Sequence, residues 1–254
     1  MNNTIKDQLN HRTIREFKDE KLDDEIIDKL LEVANRSASS NGMQYFSIIN
    51  VTDPKIKAKF AENGDQEYMA RVPHLFIFVV DLFRNYMIAK ENHEENDEMI
   101  GFDKFIQGFS DAIIAAQNLT VACESLGLGC NYFGNIHNDT KMVIDLLKLP
   151  KYTYPAVGVG FGIANQQPQL KPRIDIKLKT FENSYKVFDN YNEMIKDYDE
   201  IITTYYDLRD HNKGSDSFSK QIPKKQGTTK KNRSKMFETL IDQGFKINFK
   251  DKTL

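Results

Sequence analysis

The feature that most constrains this chain is a long run of apolar residues at helical spacing. Phe105, Ile106, Phe109, Ala112, Ile113, Ala116, Leu119, Cys123 and Leu126 recur between Phe102 and Leu126, until Gly127 and Gly129 end the pattern. About 25 residues at 1.5 Å each make a rod of roughly 37 Å. A helix apolar over so much of its circumference has to run through the middle of a fold, and the rest of the chain must supply its cover. Ala112, Ala115, Ala116 and Ala122 leave room for a second helix to approach closely.

The surrounding sequence supplies that cover. Ile26, Ile27, Leu30, Leu31 and Ala34 give a helix over Leu22–Ser37, with Asp23 or Asp24 as its cap. SSNGMQ (Ser39 to Gln44) breaks it, and Tyr45–Val51 alternates like a strand. Leu75–Asp81 is almost continuously apolar, as a central strand covered on both faces would be. NYFGN (Asn131 to Asn135) reads as a short aromatic turn, Asp139–Leu149 as a helix stopped by Pro150, and Tyr154–Ala164 as a glycine-rich strand. Helical spacing returns at Met194–Tyr206, followed by a polar lysine-rich linker and a helix over Asn232–Gln243 stopped by Gly244. Strands alternate with helices too irregularly for a doubly wound sheet. The expectation is therefore an α+β fold with a modest mixed sheet flanked by helices. With 254 residues, 40% hydrophobic content, 17 Phe and 11 Tyr, the core is large enough to be globular.

Charge divides the chain. Residues 201–254 carry 12 Lys+Arg against 6 Asp+Glu, whereas residues 1–200 carry 23 against 31. A basic carboxy-terminal excursion (201–254) on an acidic body (1–200) is the expected organisation. The negative total and the lack of a recognisable binding module argue against a nucleic-acid partner. No apolar run reaches the ~18 residues needed to span a bilayer, and MNNTIKDQLN has no basic-then-apolar leader, so a soluble cytoplasmic protein without a membrane partner is expected. Cys123 and Cys130 form no CxxC pair and read as buried small hydrophobes. His93, in the acidic run ENHEENDE, lacks a metal-ligand spacing, and no metal is expected.

Several chemistries fail on spacing. Gly158, Gly160 and Gly162 form GxGxG rather than GxGxxG, and the proline-broken NQQPQLKPR follows where a dinucleotide fold needs a helix amino terminus. There is no GxxxxGK[ST] loop and no GxSxG elbow. Two basic clusters remain, HRTIREF (His11 to Phe17) and LKPR (Leu170 to Arg173). A fork of guanidinium donors with a nearby hydroxyl suits an anion such as a phosphate.

In order, HRTIREF, SSNGMQ, NGDQEY, AAQNLTVACESLGLG, YFGN, LLKLP, GVGFG and LKPR resemble the nitroreductase and flavin reductase superfamily, within it the larger NADPH-dependent type. The resemblance covers most of the chain and weakens after Tyr206. It implies a homodimer that binds FMN and works by ping-pong hydride transfer. NADPH is the implied reductant, with NADH possible, and nitroaromatics, quinones or free flavins are the implied acceptors. A non-catalytic FMN storage or sensor protein is the alternative.

Carried over by position, His11, Thr13, Lys171 and Arg173 would hold the FMN phosphate and Arg12 would sit in the same ribityl-phosphate region. Arg15 would reach the N1/O2 edge of the ring, where a cation stabilises the charge that arrives on reduction. Gln66 would read the pyrimidine edge, and Ser39 and Ser40 match a segment that can come from the partner subunit. Tyr132, Phe133, Gly134 and Asn135 match the segment whose backbone N–H faces flavin N5. Phe133 and Asn135 depart from the YIGG that the resemblance leads one to expect, replacing an aliphatic residue and a glycine. Arg209 and Lys213 fall where the family grips the 2′-phosphate of NADPH.

Overall fold

The computed structural model describes residues 1–207 and 213–247. In chain order its elements are α1 (Asn3–Leu9), α2 (Asp24–Asn35), β1 (Phe46–Asn50), α3 (Pro54–Gly64), β2 (His74–Asp81), α4 (Phe83–Glu91), α5 (Phe102–Ser125), β3 (Gly129–Phe133), α6 (Thr140–Leu147), β4 (Thr153–Gly162), α7 (Tyr191–Met194), α8 (Lys196–Thr203), β5 (Tyr206–Asp207), β6 (Lys213–Gly214), α9 (Phe218–Gln226) and α10 (Met236–Asp242). They fall into two units, residues 1–166 with 230–254 and residues 167–229. The boundary expected at residue 200 lies inside α8.

Strand β2 organises the first unit. It pairs antiparallel with β1 and with β4, and β4 pairs antiparallel with β3, giving the order β1-β2-β4-β3. The sheet is thus antiparallel in every strand pairing, not mixed as expected. Parallel pairing is confined to single bridges such as Thr13 with Cys130. The alternation of β2 sorts its side chains onto two faces. Phe76, Phe78 and Val80 join Phe161, Ala112, Ala115, Ala116 and Leu119 in one core. Leu75, Ile77 and Val79 join Phe60, Met69, Phe133 and Val143 in the other. The long helix α5 and α2 therefore cover one face, and α3 and α6 the other.

Local rules set the ends of these helices. Asp53 caps α3 by accepting from Lys55 N at 2.8 Å, and Pro54 takes the first helical position, where its missing N–H costs nothing. Asp139 caps α6 through Met142 N at 3.0 Å. Asp23 is the first flanking residue of α2, but its side chain makes no capping bond. The expected aromatic turn at Asn131–Asn135 is instead strand β3 running into a 3-10 turn, and the expected lysine-rich linker contains α9 with Pro223 inside it.

The glycines of β4 have a packing cause. A Cβ at Gly160 would lie 2.7 Å from both Phe133 Cε2 and Val72 Cγ1, and one at Gly158 3.1 Å from Phe133 Cβ. Gly158 and Gly160 thus leave room for the Phe133 side chain, its ring lying over Gly160, while Gly162 faces Pro73 and Phe17.

Candidate functional site

The HRTIREF segment is pinned along the sheet by backbone bonds, which fixes where its side chains start. Ile14 N donates to Cys130 O at 2.9 Å, Lys18 N to Ile163 O at 2.9 Å, and Asn165 N to Glu16 O at 2.9 Å. The Gln166 side chain adds to this, its Oε1 accepting from Arg15 N (2.6 Å) and Glu16 N (2.9 Å). Ile14 is buried against Gly129, where a Cβ would meet it at 2.6 Å. His11 Nδ1 pairs with Glu124 Oε1 at 2.5 Å, leaving Nε2 as the other polar atom of the ring. The Arg12 guanidinium donates to Asn10 O at 2.9 Å. Arg15 Nε is buried with no hydrogen-bond partner among the described residues. A buried guanidinium N–H without an acceptor is costly, and an anionic or carbonyl-bearing ligand would satisfy it.

A second group forms at the end of β3. Asn135 Nδ2 donates to Gln66 Oε1 at 3.1 Å, so the structure brings these two expected residues together. Asn135 needs no positive φ, and its side chain is buried beside Met69 and Gly64 rather than facing solvent. The Phe133 side chain belongs to the core, so only its backbone is available to a ligand. Tyr132 Oη hydrogen-bonds Thr120 (2.9 Å) and donates to Gln117 (3.0 Å), and burial pushes its pKa up to about 12. Gly134 is exposed, and its carbonyl accepts from Arg233 Nη1 at 3.1 Å. Arg233 also reaches Asn138 Oδ1 at 3.3 Å. Sequence reasoning missed Arg233, because a residue in a lysine-rich stretch carries no local mark of a contact made across 99 positions.

The SSNGMQ loop is held from α5 by a buried carboxylate. Asp111 accepts from Ser40 N (2.9 Å) and Ser40 Oγ (3.1 Å) with one oxygen, and from Tyr45 N (3.2 Å) with the other. Ser39 is half-buried beside it. Asp111 was invisible in the sequence, where it sits as one charge in an apolar helix.

In the second unit, Lys171 and Arg173 are exposed. Arg173 Nη1 folds back onto Lys171 O at 2.9 Å, and Lys171 Nζ stands 5.9 Å from the centre of the Tyr205 ring. Lys171, Tyr198, Ile202, Tyr205 and Phe218 line a cavity of about 180 Å³, too small for a whole dinucleotide. Arg209 lies outside the described residues, and Lys213 pairs through its backbone with Asp207. Among the described residues no cluster of His, Cys, Asp or Glu could hold a metal ion, and no helix is long and apolar enough to cross a membrane.

The fold and these clusters define a nitroreductase-type protein. The nitroreductase family model matches residues 9–66 and 61–163, and the model of the family's C-terminal domain matches residues 171–248. The chain belongs to the nitroreductase family. It is 35% identical over 225 residues to the FMN reductase (NADPH) of Bacillus subtilis, covering 87% of this chain and 90% of that relative. An NADPH-dependent oxidoreductase of Staphylococcus saprophyticus is 32% identical, over 93% of this chain and 95% of its own length. Among solved structures, B. megaterium NfrA2 superposes with a TM-score of 0.90 at 30% identity, over 98% of this chain and all of that one (100%).

Proposed function

We propose that this chain is an FMN-dependent NADPH oxidoreductase that passes reducing equivalents to small-molecule acceptors, with nitroaromatics, quinones and free flavins as the acceptor classes. Family membership and relatives named as an FMN reductase (NADPH) and an NADPH-dependent oxidoreductase support the activity. The single observation in this chain that carries the reading is the Nε of Arg15, buried and without a partner among the described residues, on a backbone fixed at both ends. FMN, when bound, supplies the hydride chemistry, so the protein needs no acid–base dyad of its own.

The residues then have separate tasks. Arg15 would set a permanent cation at the ring edge that becomes electron-rich, and Gln66 would contact the pyrimidine edge. The backbone of Tyr132 to Asn135 offers an N–H to the reacting end of the ring. His11, Arg12 and Thr13 are assigned to the phosphate end, and Lys171 and Arg173, by the resemblance, to a phosphate contact. Ser39 and Ser40 are assigned to a flavin contact made from the partner subunit of a homodimer. Arg209 and Lys213 are assigned to the 2′-phosphate of NADPH. Lysine there, a point charge in place of an arginine fork, makes the preference over NADH modest.

The test is the visible spectrum of the purified protein, followed by rapid mixing with NADPH and with NADH under argon. A yellow protein bleached faster by NADPH is expected. Bound flavin that neither nucleotide bleaches would replace this reading with flavin storage or sensing. Protein that binds no FMN would remove both.

A further inference from the structure

The structure assigns Asn135 a task that its backbone does not perform: we propose that its side chain is a positioning residue for Gln66, locked in the space that Gly64 leaves open. The inference rests on the FMN reading and narrows it. With its carbonyl engaged by Asn135, Gln66 presents its NH2 to the ligand and so contacts a carbonyl oxygen of the flavin pyrimidine as a donor.

Three observations carry this. First, Asn135 Nδ2 lies 3.1 Å from Gln66 Oε1 and 3.7 Å from Met69 Sδ. A thioether sulfur only accepts, so the NH2 of Asn135 belongs on that side, and the oxygen of Gln66 must then face it. Second, Gln66 Nε2 has no protein partner among the described residues, and Gln66 is half-buried, so that NH2 is the polar end left for a ligand. Third, a Cβ at Gly64 would lie 1.8 Å from Asn135 Nδ2, 2.8 Å from its Cγ and 3.3 Å from its Cβ.

Gly64 closes α3 without a positive φ, so no backbone requirement explains a glycine there. The room it gives Asn135 does. Asn135 is buried, and its Oδ1 has no partner among the described residues. The side chain therefore stays at some cost, offset by its contacts through Nδ2. An asparagine where the resemblance leads one to expect glycine, and a glycine where helix geometry needs none, are one coupled arrangement.

Four proteins test it: wild type, Gly64→Ala, Asn135→Gly and the double variant, each as full-length chain. Tm is read on the apoprotein, and FMN affinity by titration of flavin fluorescence. Gly64→Ala should lower the apoprotein Tm by ~4 °C and weaken FMN by ~tenfold, since it expels Asn135 and releases Gln66. In the Asn135→Gly background the same Gly64→Ala change should cost almost nothing in either measurement. Should Gly64→Ala not fold alone, recovery of folded protein on adding Asn135→Gly reads the same coupling. Additive Tm shifts would overturn the lock.

Gln66→Ala separates positioning from packing. It should weaken FMN ~tenfold in wild type and only about twofold once Asn135 is glycine, because Gln66 is already disordered there. Equal losses in both backgrounds would overturn the positioning role. Wild-type protein that fails to bind FMN would overturn the flavin reading and the ligand half of this proposal together, while the apoprotein Tm series still judges the Gly64–Asn135 lock by itself.

Discussion

Arg15 shows how one side chain can be committed before any ligand arrives. Its backbone N–H is tied to Gln166 and its Nε is buried without a partner among the described residues, so the guanidinium is positioned by the fold rather than by solvent. Arg15→Gln should lower the flavin midpoint potential, because a fixed cation at the ring edge favours the reduced, electron-rich form over the oxidised one. Potentiometry on the holoprotein checks this, and an unchanged potential would return Arg15 to a structural role. His74 commits itself in the opposite sense. Its Nε2 accepts from Leu22 N at 3.0 Å, and burial first, then Lys57 and Lys21, hold its pKa below the ordinary 6.5. Burial depresses His137 likewise, with Arg233 adding to it and a bond to the Ala156 carbonyl opposing it. As pH falls through 6.5 the unfolded chain takes up these protons before the native one does, so stability is lost on acidification below that value and is fully present above it. Tm measured from pH 8 to pH 5 should therefore fall below about 6.5. His74→Gln, which keeps an acceptor without a titration, should shallow the fall, and parallel curves for the two proteins would clear His74 of the effect.

Among the elements, the β3–β4 pair shows most directly how the sheet serves the site. Phe133 is the last residue of β3, immediately before Gly134 and Asn135, and its Cβ faces Gly158 of β4 while its ring packs over Gly160. Gly160→Ala should destabilise the protein by about 1–3 kcal/mol through overpacking, read as a lower denaturant midpoint at unchanged slope. Phe133→Leu added to it should recover part of the loss, and a midpoint equal to wild type would show that the ring yields freely. The same pair marks what the sequence could and could not tell. The period of α5 and the apolar run of β2 were legible because burial on those elements follows one rule over many residues. GxGxG was legible only as a failed nucleotide loop, since the Phe133 side chain that crowds Gly158 and Gly160 comes from a strand read as a turn. Helices α1, α3, α4 and α9 escaped because they are short and charged or polar residues break up their apolar pattern. The pairing of Asn135 with Gln66, the grip of Asp111 on Ser40 and the reach of Arg233 to Gly134 were illegible for another reason: each joins residues more than 60 positions apart, and no local pattern encodes the meeting.

At the scale of the whole molecule, the long helix leaves an unsettled surface. Its inner side is fully covered, with Ala112, Ala115, Ala116 and Leu119 at 0% exposure. Its outer side is not: Phe102, Ile106, Ile113 and Ile114 remain between 37% and 48% exposed, and Met43 of the SSNGMQ loop is 46% exposed. The second unit carries its own apolar surface at Ile176, Tyr185 and Val187. Scattered exposed apolar residues are ordinary, but Phe102, Ile106 and Ile113, at spacings of four and seven on one side of α5, mark a surface that association would cover. Self-association also suits the assignment of Ser39 and Ser40 to a partner's flavin, because Asp111 holds that loop to the same helix. Light scattering of the holoprotein at micromolar concentration should give twice the chain mass of 29.4 kDa. Ile106→Glu with Ile113→Glu should shift it toward a single chain and lower FMN occupancy in parallel, since a site completed by two chains cannot outlast their separation. A wild-type monomer that keeps its FMN would refute the dimer and remove Ser39 and Ser40 from the site. A charged double variant that stays dimeric with full occupancy would instead move the interface off α5.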